Sequence, residues 1–175
     1  MKPNNNTIKL DYGQGCLELL ADDKVEVVLP QELPPAGPEE VERSIEQAVG
    51  RRLEEFAGAR SASILVSDIT RPAPSHLMLP PLVRKLKELD ITNINVVFAL
   101  GTHRRMTAGE EEYLLKDCIR LPHIQHDSKA CVPLGYTERG TPVEVLESVA
   151  SSDLIVATGN IEYHYYAGFS GGAKA

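Results

Sequence analysis

The chain has 175 residues, of which 42% are apolar and 25% charged, an ordinary composition for a globular protein with one hydrophobic core. Its formal net charge of -7 argues against a general nucleic-acid binder, because binding to the phosphate backbone needs clustered Lys and Arg. No apolar run reaches the roughly 18 residues that a membrane-spanning helix requires, and the N-terminus lacks the apolar core of a signal peptide. We therefore expect one domain over residues 1–175, in the cytoplasm and without a membrane partner.

Short strands open the chain. Runs of strand-forming residues at Thr7–Tyr12, Cys16–Leu20 and Val25–Leu29 are separated by turn residues, which is typical of a small antiparallel sheet. The stretch Pro30–Pro38 holds four prolines and cannot continue a strand. An apolar stripe at helical spacing then predicts a first helix, formed by Val41, Ile45, Val49, Leu53 and Phe56.

Strands and helices alternate from Ala62 onward. Ile64–Val66 and Ile94–Leu100 are nearly continuous apolar runs, typical of parallel strands that are covered on both faces. Between them, leucines at helical spacing predict a helix that starts or kinks at Pro80-Pro81. These leucines are Leu79, Leu82, Leu86 and Leu89.

The alternation continues to the end of the chain. Thr107 and Glu110 have the capping-box spacing, which predicts a helix through about Leu115. A weaker strand at Ile124–His126, a turn around Gly135–Gly140 and a strand within Asp153–Thr158 follow. The predicted fold is α/β, a Rossmann-like, doubly wound, mostly parallel sheet with a small antiparallel N-terminal β extension.

Three predicted strands end in loops rich in side chains that bind or react, over residues 67–72, 101–105 and 159–174. In open α/β sheets, ligands bind beyond the carboxyl ends of the strands. The three loops therefore predict a single site.

The first loop offers an anion, a hydroxyl and a guanidinium within four residues, at Asp68, Thr70 and Arg71. Arg71 is suited to hold a phosphate or a carboxylate with two hydrogen bonds. The alternative is a structural role, common in loops, in which Asp68 caps a turn and Arg71 pairs with it.

The last loop is rich in glycine and ends at Lys174. Its glycines allow backbone N–H groups to approach an anion closely, although the order of residues is not that of a Walker A motif. A plain glycine-rich turn remains the alternative.

His103 and His164 each follow a predicted strand, and two histidines on opposite sides of one substrate carbon can alternate as base and acid. Isolated histidines are more often surface or core residues, so the shared placement carries this hypothesis. His123 and His126 have H-x-x-H spacing but no further ligand candidates nearby, and we expect no metal site there.

Taken together, three segments resemble the lactate racemase family over about residues 7–175: Asp68-Ile-Thr-Arg-Pro72, Gly101–Thr107, and His164–Lys174. The resemblance implies a nickel-pincer nucleotide, a pyridinium mononucleotide that holds nickel through sulfur and carbon and is attached covalently to Lys174. It also implies that Asp68, Ile69, Thr70 and Arg71 bind this cofactor and that His103 and His164 are the catalytic histidines.

The implied reaction is the racemisation or epimerisation of a small 2-hydroxy acid. One histidine removes the hydroxyl proton while the C2 hydride moves to the cofactor, and the resulting 2-keto acid takes the hydride back on either face. Family members continue into a C-terminal domain that supplies a nickel-ligating histidine, so we expect no metal ligands within this chain and an inactive fragment. Two alternatives remain, a non-catalytic nucleotide- or phosphate-binding module and a cofactor carrier.

Overall fold

The computed structural model describes residues 6–21, 34–164 and 168–171. The chain divides into two units, residues 1–35 and residues 36–175, and the single domain expected from the sequence stays a prediction. In the first unit, β1 (Asn6–Tyr12) and β2 (Gly15–Ala21) form an antiparallel hairpin. Gly13 makes the turn with a φ of 59°. The first two predicted strands are confirmed, whereas the third, Val25–Leu29, lies outside the described residues.

The second unit begins with α1 (Pro38–Glu54), as the apolar stripe predicted, although Phe56 lies past the helix end and is exposed. Strands and helices then alternate. They are β3 (Ser61–Ser67), α2 (Ser75–Glu88), β4 (Asn93–Ala99), α3 (Ala108–Leu115) and β5 (His123–Gln125). Within the described ranges, no helix has both the length and the apolar character needed to cross a membrane.

The rest of the second unit consists of short elements. A hairpin of β6 (Cys131–Tyr136) and β7 (Pro142–Leu146) leads into α4 (Glu147–Ala150) and β8 (Leu154–Ala157). An antiparallel pair follows, β9 (Glu162–His164) and β10 (Gly168–Ser170). The turn predicted around Gly135–Gly140 is present, but the two strands that flank it were not predicted.

Four parallel strands form the central sheet in the order β5-β4-β3-β8. The chain moves from β3 outward to β5 through α2 and α3, and β8 then returns to pair with β3 on its other side. The direction of winding therefore reverses between β3 and β8. At such a switch point the loops beyond the two strands separate and leave a crevice for a ligand. The predicted α/β fold with a parallel sheet is confirmed.

Apolar side chains from alternate strand positions cover both faces of the sheet. On one face, Phe98 and Ile64 are fully buried beneath α1, α2 and α3. On the other face, Val97 packs against Leu146 and Val149 from β7 and α4. The sheet thus packs apolar side chains on both faces, and the loops beyond its strands carry the polar groups.

The helix α2 starts at Ser75 and contains Pro80 and Pro81, so a start at the two prolines is wrong, whereas the alternative of a kink there stays a prediction. Each proline lacks an N–H and removes one hydrogen bond from the helix. The buried side chains of Leu79, Leu82 and Leu86 nevertheless keep the segment helical, because their packing on the sheet outweighs the lost bonds.

Two side chains fasten β8 to β3. The Asp153 carboxylate accepts hydrogen bonds from the backbone N–H groups of Arg60 and Ser61, at 2.8 and 3.0 Å, at the start of both strands. At the other end, the backbone N–H and the hydroxyl of Thr158 both donate to the Leu65 carbonyl. Side-chain hydrogen bonds therefore connect β8 to β3 at both the start and the end of β8.

Candidate active site

The three polar loops leave the sheet at the same edge. Asp68 follows β3, His103 follows β4 on one side of it, and His164 lies in the segment that follows β8 on the other side. Because the three strands are parallel neighbours, their carboxyl ends meet at the switch point. The sheet order therefore places the three loops at the same end of the sheet, and the single site they form stays a prediction.

Asp68 is the most deeply buried charged group of this edge, with 3% of its surface exposed. Its Oδ1 accepts the backbone N–H of Thr70 at 2.8 Å, and its Oδ2 lies 2.7 Å from Nδ1 of His103. The Thr70 hydroxyl lies 3.2 Å from the same His103 nitrogen. One carboxylate thus joins the loop after β3 to the loop after β4.

The pKa of the Asp68 carboxyl is lowered despite its burial. Burial alone raises the pKa, since it removes the charged form from water. The hydrogen bonds from Thr70 and His103, together with attraction to the imidazole, lower it by more. Asp68 is therefore ionised at neutral pH.

The loop that carries His103 is fastened to the start of α3. The Arg104 guanidinium makes two hydrogen bonds to the Glu110 carboxylate, at 2.9 and 2.6 Å. Glu110 also accepts the backbone N–H of Thr107, whose hydroxyl accepts the N–H of Glu110 in return, so the predicted capping box is confirmed. The hydrogen bonds from Arg104 and Thr107 lower the pKa of Glu110 to about 2.

Met106 and Gln125 brace the two loops, and sequence reasoning missed both. The Gln125 side-chain amide accepts the Met106 backbone N–H at 2.7 Å and donates to its carbonyl at 3.0 Å. The thioether sulfur of Met106 accepts the backbone N–H of Ile69 at 3.3 Å, directly after Asp68. Nothing in the local sequence pattern marks a methionine or a glutamine as such a brace.

The segment after β8 passes close to the end of β3. A Cβ placed on Gly159 would lie 3.7 Å from the Ser67 hydroxyl oxygen. Gly171 has a φ of 94°, and a Cβ there would collide with the Asn160 carbonyl. The close return of the chain therefore requires glycine at position 171, whereas the distance at Gly159 is an ordinary van der Waals contact. His164 lies between these two positions, half-buried on β9 and opposite Gly168.

A model of the lactate racemase N-terminal domain matches residues 12–175, nearly the whole chain. The chain belongs to the lactate racemase family.

Two lactate racemases are similar to this chain. The one from Lactiplantibacillus plantarum is 34% identical over 145 residues, covering 78% of this chain and 34% of the relative. The one from Thermoanaerobacterium thermosaccharolyticum is 30% identical over an alignment of 182 residues, covering 96% of this chain and 43% of the relative. The chain thus spans less than half the length of either lactate racemase.

Two solved structures are similar to this chain. The lactate racemase apoprotein from Thermoanaerobacterium thermosaccharolyticum matches with a TM-score of 0.76 and 31% identity, over 95% of this chain and 42% of that one. A protein from Thermotoga maritima, at 21% identity and a TM-score of 0.63, covers 82% of this chain and 38% of its own and shares the fold.

Within this lactate racemase family domain, the structure brings together Asp68, Thr70 and His103 of the predicted site. Arg71 contributes its backbone N–H to the Asp68 carbonyl at 3.1 Å, so the turn proposed for this loop exists. His164 lies in the segment on the other side of β3. Lys174 lies outside the described residues.

The two histidines of the H-x-x-H pair lie on and after β5 and contact different groups. His123 donates through Nδ1 to the Leu121 carbonyl at 2.8 Å, and His126 Nε2 lies 3.5 Å from the sulfur of Cys131. The two imidazoles therefore have separate structural partners.

Proposed function

We propose that this chain is the N-terminal part of an enzyme that racemises or epimerises a small 2-hydroxy acid, with lactate as the reference substrate. Membership of the lactate racemase family supports the reaction class. The observation that carries the proposal is the 2.7 Å contact between Asp68 and His103 at the switch point, because it orients a histidine at the edge where a ligand is expected.

His103 is the first proton-transfer group of this proposal. Its side chain is 35% exposed, whereas its Asp68 partner is buried, so one side of the ring is held and the other is open to a substrate. In one direction, His103 removes the hydroxyl proton of the 2-hydroxy acid. In the other direction, it returns the proton to the 2-keto acid oxygen.

His164 is the proposed second proton-transfer group. The two enantiomers present their hydroxyl groups on opposite sides of the reacting carbon, so a racemase needs a proton acceptor on each side. His103 follows β4 and His164 follows β8, and these strands flank β3 from opposite sides. This arrangement supports one histidine for each enantiomer.

The proposed cofactor is a nickel-pincer nucleotide attached to Lys174, with Asp68, Ile69, Thr70 and Arg71 forming its binding loop. When bound, this group accepts the C2 hydride of the substrate and returns it. The same edge has spare hydrogen-bonding capacity for a phosphate or ribose. Ser75 Oγ, at the start of α2, and Asn160 Nδ2, after β8, are buried and have no hydrogen-bond partner within the described part of the chain. The residues present therefore fit an anionic nucleotide.

The test uses the full-length gene product, prepared with the cofactor, and chiral chromatography of D- and L-lactate and of related 2-hydroxy acids. His103→Asn and His164→Asn should each lower turnover by about 10²–10⁴-fold, the usual contribution of a positioned acid or base. His123→Asn is the matched control, since it removes a histidine bonded to the Leu121 carbonyl, and turnover should change little. Full turnover in both site variants would refute the enzymatic role.

A second measurement separates the remaining functions. Intact mass and nickel content of the full-length protein from its native host should reveal a nucleotide-sized adduct on Lys174 and about one nickel per chain. An adduct with no loss of function in either histidine variant would favour a cofactor carrier. A chain without adduct or nickel would favour a nucleotide-binding module. The 175 residues alone should show no turnover, because the chain spans less than half the length of the lactate racemases it matches.

A further inference from the structure

Asp68 and His103 form a short polar contact between two loops of the candidate site, with 2.7 Å between Oδ2 and Nδ1. We infer that Asp68 is a positioning residue, which holds His103 with Nδ1 protonated and thereby makes Nε2 the atom that exchanges protons with the substrate. The inference rests on the proposed function for the use made of Nε2. The tautomer itself is a property of this chain and is tested without turnover.

The chemistry of the two groups fixes the direction of the hydrogen bond. An ionised carboxylate only accepts hydrogen bonds, and the two ring nitrogens of a neutral histidine divide into one donor and one acceptor. Oδ2 of Asp68 lies 2.7 Å from Nδ1 of His103, so Nδ1 carries the hydrogen and Nε2 keeps its lone pair. A neutral His103 is therefore ready to take a proton at Nε2.

Three contacts hold Asp68 in place for this task. Its other oxygen accepts the Thr70 N–H at 2.8 Å, and its carbonyl accepts the Arg71 N–H at 3.1 Å. The next peptide, at Ile69, is tied to the Met106 sulfur. Because Met106 comes three residues after His103, the same contact fixes the spacing of the two loops. The carboxylate is thus held from both sides before any ligand binds.

Burial strengthens the effect of the carboxylate. Asp68 is 3% exposed, so its charge is poorly screened by water and acts mainly on its neighbours. When His103 takes a proton at Nε2, the resulting imidazolium faces this charge across a short hydrogen bond and is stabilised. Asp68 neither gains nor loses a proton in this step, because its carboxyl stays ionised.

A purely structural role for Asp68 makes a different prediction. The bond from Thr70 to Oδ1 closes a turn, and an asparagine at position 68 would preserve it, because its carbonyl oxygen accepts the same N–H. The asparagine amide would instead place an N–H group against His103 Nδ1. That donor requires Nδ1 to accept, so the neutral ring must carry its hydrogen on Nε2. Asp68→Asn therefore keeps the turn and reverses the tautomer.

The experiment is long-range ¹H–¹⁵N correlation NMR on full-length protein labelled with ¹⁵N-histidine and lacking cofactor, with His103 assigned from His103→Gln. In spectra recorded at a pH where the imidazole is neutral, His103 of the parent protein should be protonated at Nδ1 and His103 of Asp68→Asn at Nε2. Asp90→Asn is the matched control, because Asp90 is exposed at the far end of α2 and its φ of 61° suits asparagine equally well. An unchanged Nδ1–H tautomer in a folded Asp68→Asn variant would overturn the inference.

Kinetics of the cofactor-loaded protein provide the second readout. Asp68→Asn should lower kcat by about 10²-fold or more with a change in KM of less than about threefold, since the substrate still binds but meets a protonated Nε2. Retention of the parental kcat would refute the positioning role. If Asp68→Asn reverses the tautomer but the full-length parent protein racemises no 2-hydroxy acid, the effect of Asp68 on His103 is established and the proposed function is refuted.

Discussion

The side-chain amide of Gln125 makes two hydrogen bonds to the backbone of Met106, accepting its N–H at 2.7 Å and donating to its carbonyl at 3.0 Å. A third bond, from the same amide nitrogen to the Glu111 carboxylate at 2.8 Å, connects the pair to α3. Met106 is 7% exposed, so its peptide groups have little access to water. The Gln125 side chain therefore satisfies backbone hydrogen-bonding groups of the loop after β4 that a neighbouring strand would otherwise pair with.

Replacing Gln125 with leucine should lower the free energy of unfolding by about 1–3 kcal/mol, because the polar backbone groups of Met106 lose their partners. Urea denaturation followed by circular dichroism measures the change. Gln47→Leu, on the exposed face of α1, is the control and should stay within about 0.5 kcal/mol of the parent. Equal stability of both variants would contradict the bracing role.

Glu110 should make the free energy of unfolding depend on pH in the acidic range. Its pKa is lowered to about 2 in the folded protein, below the ordinary value of 4.5, so its contribution is complete above pH 4.5 and is lost as the pH falls toward 2. Glu110→Gln should therefore be less stable than the parent at pH 6, and the difference should narrow below pH 4.5. Urea denaturation from pH 6 to pH 3 tests this. Glu112→Gln, exposed on the same helix, should show a much smaller difference across this range.

Gly171 should be intolerant of a side chain. Alanine there combines a left-handed backbone, which alone costs about 1–2 kcal/mol, with a collision against the Asn160 carbonyl. Hydrogen exchange of the amides from Asn160 to His164 should speed up by roughly tenfold or more, as each factor of ten corresponds to about 1.4 kcal/mol. Gly140→Ala, with a φ of 80° and open space around it, should leave these amides unchanged. Unchanged exchange in Gly171→Ala would show that the close return does not hold this segment.

The packing of α2 should outweigh its two prolines. Leu86 is fully buried against the sheet, and Leu86→Ala should lower the free energy of unfolding by about 2–5 kcal/mol. Leu134→Ala, at a side chain that is 60% exposed on β6, should change it by less than about 0.5 kcal/mol. Chemical denaturation of both variants measures the contrast, and a small loss for Leu86→Ala would mean that α2 is held by something other than its apolar face.

Much of the fold could be predicted from the sequence because its strongest signals are local. The apolar runs of β3 and β4 and the capping box at Thr107 each depend on a few neighbouring residues, and all three are confirmed. The hairpin of β6 and β7 was missed for the same reason. Pro133 and Gly135 interrupt β6 at an irregularity in its register, and its outer residues are exposed, so neither an apolar run nor alternation marks the strand.

The site could be predicted only to the level of its loops. The position of polar residues directly after three strands can be predicted from the order of strands and loops along the chain. The contact of Asp68 with His103 depends on side-chain directions across 35 residues of sequence, and no pattern in the chain encodes them. For this reason Asp68 was predicted as a cofactor-binding residue, with a turn cap as the alternative, and its bond to the histidine is seen only in the three-dimensional arrangement.

The ties between Asp153 and the start of β3 join groups up to 93 residues apart. During synthesis, β3, β4 and their helices leave the ribosome well before β8, so the loops of Asp68 and His103 can be built from chain that is already complete. Pairing of β8 with β3 closes a long loop of chain, which is a slow step in folding. We therefore expect the sheet to form in two stages, with β8 and the segment bearing His164 joining after β3 and β4 have paired.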